Sequence, residues 1–190
     1  IITLRISGPK TLAALRCLAV TQNLKNRQAT LCLIKNPKNS QIIDESLVTF
    51  FLAPNSFTGE DVAEISIHGS PFIAQKIMNI LGEIPDIRLA DPGEFSRRAF
   101  ENNKIDLTKA EAIIDLVDSQ TAAQHNQAIK QLRGSLGKIY ENWCQELIAI
   151  TAHLEAVIDF PDEDLPKEIA RKVEENIRNL RAKIENHLKQ

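Results

Sequence analysis

From Leu132 to Val157 an apolar residue returns at every third or fourth position: Leu132, Leu136, Ile139, Trp143, Leu147, Ile150, Leu154 and Val157. Side chains three and four apart on a helix stack over one another, so this spacing draws a single apolar stripe down one side. A shorter stripe precedes it (Ile113, Ile114, Val117), and another follows (Ile169, Val173, Ile177, Leu180, Ile184, Leu188). Helices that each carry one apolar face must bury it against a partner, and a helix bundle is the arrangement that does so. Thr108-Lys109-Ala110-Glu111 reads as a capping box opening the first helix, with Thr and Glu satisfying each other's backbone N–H groups. Pro161 reads as the stop after the second stripe, with the acidic link Asp162-Glu163-Asp164 leading into the third. Three stripes leave a fourth helix to come from outside this chain.

Ahead of Leu107 the pattern is one of short strands and short helices. Strands are expected over Ile1–Ser7, Ala29–Ile34, Leu47–Ala53, Val62–His68 and Ile87–Ala90, bounded by Gly, Pro and Asn. Helices are expected over Lys10–Val20 and Pro71–Leu81, where Pro71 suits a first helical position. Asn36-Pro37-Lys38-Asn39-Ser40 reads as a turn between two strands. The expectation is an α+β domain over residues 1–107 with a mixed or antiparallel sheet, then an all-α helical bundle domain over 108–190. The chain opens in a strand and ends in a helical pattern, as a piece of a longer protein would.

Composition narrows the chemistry. The 190 residues are 43% apolar and 25% charged, with a net charge of -2, so no global field draws the chain to nucleic acid or to an anionic membrane. No window approaches the ~18 apolar residues of a membrane span, and no leader pattern opens the chain. Cys17, Cys32 and Cys144 are far apart and form no CxxC pair, which fits core packing and a reducing, cytoplasmic compartment rather than a disulfide framework or zinc site. No set of Ser, His, Asp or Cys reads as a nucleophilic site, so no catalytic residue is assigned. Gly134-Ser135-Leu136-Gly137-Lys138 resembles the end of a phosphate loop, but Ile139 stands where Ser or Thr is needed and the segment lies in a helical stripe.

Two segments could carry chemistry. On a strand over 62–68, Ala63, Ile65 and Ile67 share one face and Glu64, Ser66 and His68 the other. That polar row reads either as a binding face or as solvated surface. Glu64 and His68 would stand about 13 Å apart along the strand, so no shared metal is expected. In Asp91-Pro92-Gly93-Glu94-Phe95-Ser96-Arg97-Arg98-Ala99-Phe100 a turn feeds a short helix with adjacent arginines, and Asn102-Asn103-Lys104 closes it. Arginine forks suit carboxylate or phosphate, and the alternative is a solvated basic face.

Together these residues resemble a known family. Arg5-Ile6-Ser7-Gly8, Phe57-Thr58-Gly59-Glu60-Asp61, Glu64, His68-Gly69, Pro92-Gly93-Glu94-Phe95 with Arg98-Ala99-Phe100, Lys104-Ile105-Asp106-Leu107 and Ala156-Val157-Ile158-Asp159-Phe160-Pro161 resemble, in the same order, the MnmE (TrmE) tRNA-modification GTPases. The resemblance implies an N-terminal domain similar to the folate-binding domain of glycine-cleavage T-proteins, then a helical domain into which a GTPase domain is inserted. It implies 5-formyltetrahydrofolate as ligand and a homodimer. It further implies carboxymethylaminomethyl modification of the wobble uridine of tRNA, together with the flavoprotein partner MnmG (GidA). Matched by motif, the family's folate contacts fall on Arg5, Glu64 and Lys104.

Those residue types suit the ligand. A carboxylate such as Glu64 can accept from the amino group and ring N–H of a pterin, and Arg5 or Lys104 suits the anionic glutamate tail. The family also opens with a further strand and a PPGRG-like loop that this chain does not show. GTP, Mg²⁺ and K⁺ belong to the GTPase domain, which is likewise not seen here. His68-Gly69-Ser70-Pro71 carries Ser where the family usually has a second Gly. The rival readings are a folate-dependent aminomethyltransferase and a non-catalytic dimerisation module. The long helical stripes count against the first.

Overall fold

Alternation in the strand over residues 42–51 decides which face of the sheet is covered. Asp44, Ser46, Val48 and Phe50 are buried, while Glu45 and Leu47 between them are exposed. The computed structural model describes residues 1–21, 23–159 and 167–189. They fall into two compact units, Ile1–Ala110 and Glu111–Gln190.

The first unit is built on a four-stranded sheet of β1 (Ile2–Ser7), β2 (Ala29–Lys35), β3 (Ile42–Phe51) and β4 (Val62–Ile67), in the order β1-β4-β3-β2. Every adjacent pair is antiparallel. One face is covered by α1 (Thr11–Cys17) and α2 (Pro71–Gly82). The core joins Leu15 and Leu18 beside α1, Ile77 and Ile80 of α2, and Ile34, Val48, Ile65 and Ile67 of the sheet. Ser70 caps α2 by accepting from the Ile73 N–H, and Pro71 occupies the first turn as its sequence position requires. The turn after β2 closes through Asn36, whose carbonyl accepts the Ser40 N–H and whose side chain accepts the Lys38 N–H.

Three expectations change. Residues 87–90 form no strand; Ile87 packs on the core and the rest runs as irregular chain. The strand expected from Leu47 begins five residues earlier, at Ile42. There Asp44, a poor strand residue, is held by partners at the sheet's end (below). The helix expected to start at Thr108 starts at Leu107, as α4 (Leu107–Asp118). Its cap is Asp106, whose carboxylate accepts the Lys109 N–H at 2.9 Å and the Thr108 hydroxyl at 2.6 Å. The capping box lies one helix later, at Thr121 and Gln124 of α5 (Ala122–Leu132).

In the second unit α6 (Ser135–Asp159) and α7 (Lys167–His187) pack together, with Ile150, Val173 and Leu180 buried and Trp143 and Ile184 beside them. His187 meets the Trp143 ring edge-on at 5.3 Å between centroids. The long stripe is broken once: Gly134, at φ +82, ends α5, and α6 restarts at Ser135. The phosphate-loop look-alike therefore joins two helices and follows no strand. Pro161 and the acidic link 162–164 lie outside the described residues. Replacing Ile65, fully buried in the central strand β4, by Ala should cost about 2–5 kcal/mol, read as a lower urea midpoint.

Candidate functional site

Register places the first two sequence-predicted contacts together. Arg5 of β1 stands directly opposite Glu64 of β4, both on the face of the sheet away from the helices. The guanidinium donates from Nε at 2.9 Å and Nη2 at 2.6 Å, both to Glu64 Oε1. Arg5 Cζ also lies over two aromatic rings, 6.0 Å from the centroid of Phe57 and 5.7 Å from that of Phe95, distances at which a cation gains from the ring's negative face. Phe57 belongs to the loop over residues 52–61, and Phe95 to α3 (Glu94–Glu101).

An ion network fixes those two elements. The Glu94 side chain is only 3% exposed, and a charge so placed must be compensated. Arg88 donates from both terminal nitrogens at 2.8 Å, Arg98 from Nη2 at 2.8 Å and Nε at 3.1 Å, and the Asp91 N–H at 2.8 Å. Hydrogen bonds from Arg88, then from Arg98 and Asp91, hold the Glu94 carboxyl down at about 2. Arg98 continues to Glu60 at 3.1 Å. Ser7 bonds Glu60 Oε2 at 2.8 Å and the Thr58 hydroxyl at 2.7 Å, and Thr58 is fully buried. The end of β1, the loop and α3 are thus one bonded unit. Gly93, at φ +77, supplies the left-handed turn that starts α3.

Of the two readings of the 91–100 segment, neither a solvated basic face nor a face for external anions describes Arg98, whose fork meets carboxylates of the chain itself. Arg98 is consumed internally by Glu94 and Glu60, and Arg97 is left beside Glu101 at 3.6 Å.

Lys104 is held by the loop over residues 52–61. Asn103 turns the chain at φ +55, and Lys104 then runs over Gly59, where an added Cβ would lie 3.2 Å from Lys104 Cδ. Its ammonium donates to the Pro54 carbonyl at 2.9 Å. The three predicted residues therefore divide into a bonded pair and a lysine resting on the same loop that carries Phe57. A cleft of about 430 Å³ opens beside β1, lined by Arg5, Lys10, Arg88 and Phe95 over an apolar floor that includes Leu4, Met78 and Leu81. Arg5 belongs to both features, whereas Glu64 and Lys104 do not line the cleft.

His68 does not share the polar row. β4 ends at Ile67, and the His68 ring turns onto Asp44, of the helix-covered row, with Nδ1 2.8 Å from Oδ1. The His68 N–H and the Ser46 hydroxyl each bond Asp44 Oδ2 at 3.0 Å. Burial pushes the Asp44 carboxyl up, but these bonds outweigh it and leave it below the usual range. Among the described residues no group of three or more His, Cys, Asp or Glu is placed to hold a metal ion.

Sequence reasoning missed Phe57, Phe95 and the linking role of Glu60 and Glu94. All four lie within recognised motifs, but their convergence needs the fold, since Glu60 and Arg98 are 38 residues apart. No sequence signal paired Asp44 with His68.

The fold defines an α+β domain followed by a helical one. Residues 1–104 match the family model described as GTP-binding protein TrmE N-terminus, and residues 107–190 match the MnmE helical domain. The chain belongs to the MnmE (TrmE) family. It is 49% identical over 184 residues to the tRNA modification GTPase MnmE of Rickettsia canadensis, covering 97% of this chain and 41% of that protein. Against the protein of the same name from Parvibaculum lavamentivorans identity is 45% over 188 residues, covering 99% and 43%. Against that from Rhodospirillum rubrum it is 44% over 196 residues, covering 97% and 43%. The chain thus spans about two fifths of the length of these relatives.

Because Glu94 titrates lower when folded than its ordinary 4.5, the stability it contributes is complete above about pH 4.5 and is lost as pH falls through about 2. Glu94→Gln should therefore lower the urea midpoint at pH 7. It should also flatten the fall in stability between those pH values, as measured by urea titrations across the range.

Proposed function

We propose that this chain is the folate-binding, dimerising part and first helical part of a tRNA-modification GTPase. It binds 5-formyltetrahydrofolate through Arg5, Glu64 and Lys104. Family membership supports the reading. The observation that carries it is the Arg5–Glu64 pair at 2.6 Å beside Phe57 and Phe95. It sets a carboxylate for a pterin edge and a cation for an anionic tail beside two aromatic rings.

The whole protein would act on the wobble uridine of tRNA with the flavoprotein partner MnmG, in the cytoplasm, and hydrolyse GTP with Mg²⁺ and K⁺ in a domain outside these residues. The chain by itself would bind and dimerise without catalysing. Among the described residues no helix is long and apolar enough to cross a membrane.

A dimer is supported by the open face of the sheet. Leu31 and Leu47 stand opposite each other in register and are 55% and 47% exposed, with Leu33 beside them. An apolar row of this kind on a sheet marks an interaction surface. Static light scattering should give the mass of two copies, and Leu47→Glu should reduce it to one.

Glu64→Gln should weaken 5-formyltetrahydrofolate by roughly 10- to 100-fold, the value of a lost charge-assisted hydrogen bond. Calorimetry giving near-parental affinity would overturn the assignment of Glu64 to the pterin.

A further inference from the structure

What Arg5 does beside Glu64 carries more than its role as a cation. Its guanidinium is a flat group that lies over the rings of Phe57 and Phe95 and directs two N–H donors into one carboxylate. The pyrimidine edge of a pterin is built from the same unit. Its exocyclic amino group and neighbouring ring nitrogens share one carbon, as in an acylated guanidine, with donors on the edge and a π face above and below. The side chain and the heterocycle therefore compete for one carboxylate and one pair of rings.

We infer that Arg5 is an internal stand-in for the pterin and, through that competition, a specificity-determining residue that makes binding conditional on an anionic tail. The inference rests on the folate reading above and specifies how that site selects its ligand. Glu64 is paired with a full positive charge. A neutral pterin offers donors of the same geometry without that charge, and its entry would leave Arg5 without a partner. Such an exchange replaces one set of hydrogen bonds to Glu64 by another and brings no net gain.

A ligand with carboxylates at its far end changes the balance. The displaced guanidinium gains a new anionic partner, and the pterin takes Glu64 and the two rings. Arg5 has somewhere to go, because it already lines the adjoining cleft, together with Lys10, 3.4 Å from Asp86, and Arg88, bonded to Glu94. Exposure favours the exchange: the two side chains are 43% and 29% exposed, and pairs so exposed contribute little to the fold. Arg98, tied to a carboxylate that is 3% exposed, has no comparable freedom.

The competition predicts effects of opposite sign in one variant. Calorimetry of the 190-residue chain would compare 5-formyltetrahydrofolate with 6-hydroxymethylpterin, which has the heterocycle and no anionic tail. In Arg5→Gln, hydroxymethylpterin should bind about two- to fivefold tighter than in the parent, and 5-formyltetrahydrofolate at least about tenfold weaker. If the parent binds 5-formyltetrahydrofolate but the substitution leaves hydroxymethylpterin unchanged or weaker, the competition is wrong and the folate reading stands. If the parent binds neither compound, both readings fall.

A measurement on the parent needs no variant to fold. Saturating p-aminobenzoylglutamate, which supplies the tail alone, should tighten hydroxymethylpterin binding by drawing Arg5 off Glu64. Unchanged or weaker binding would overturn the competition.

Discussion

The site depends on a buried charge. Glu94 is nearly closed to solvent and would be intolerable there as a lone carboxylate. Two arginines and a backbone N–H satisfy it, and one of those arginines reaches on to Glu60. Through Ser7 the chain of bonds arrives at the end of the strand that carries Arg5. Phe57 and Phe95 are fixed by elements that this network joins, so the surface pair owes its surroundings to ionic contacts made elsewhere in the domain.

Two arginines of the same chemistry thereby do different work. Arg98 binds carboxylates on both sides, one of them buried, and behaves as part of the frame. Arg5 binds a carboxylate near the surface, where the pair is cheap to open. Burial of the partner, rather than the type of side chain or the bond length, separates a fixed contact from an exchangeable one.

The fold was largely legible from the chain. Period-two alternation around Glu64 and the stripes after Leu107 gave the order of sheet and helices, and Pro71 marked a helix start to the residue. Errors came where a local signal had a stronger competitor nearby. Asp106 outcompetes Thr108 as a cap because its carboxylate reaches the Lys109 N–H. Gly134 divides a stripe whose spacing alone is unbroken, since apolar periodicity is blind to a left-handed backbone. Residues 87–90 look like a strand by composition, but Arg88 is drawn to Glu94. At the site, the family resemblance implied Arg5 and Glu64 as separate contacts. Only cross-strand register could show that they are bonded to each other, and only tertiary packing that two phenylalanines from distant segments meet there.

The strand order β1-β4-β3-β2 has a consequence for how such a chain is made. β2 and β3 are joined by a short turn and can pair as soon as they emerge. β1 is synthesised before the other three, yet among the described residues its partner in the sheet is β4, and Arg5 must wait for a residue 59 positions later. Arg98 and Lys104, which secure the loop beside it, arrive later still. Non-local pairing of this kind is slow because the loop must be closed before any contact rewards it. Of the four strands, the one that leaves the ribosome before the others is therefore the last to find its place, and until then its apolar residues Ile2, Leu4 and Ile6 travel uncovered.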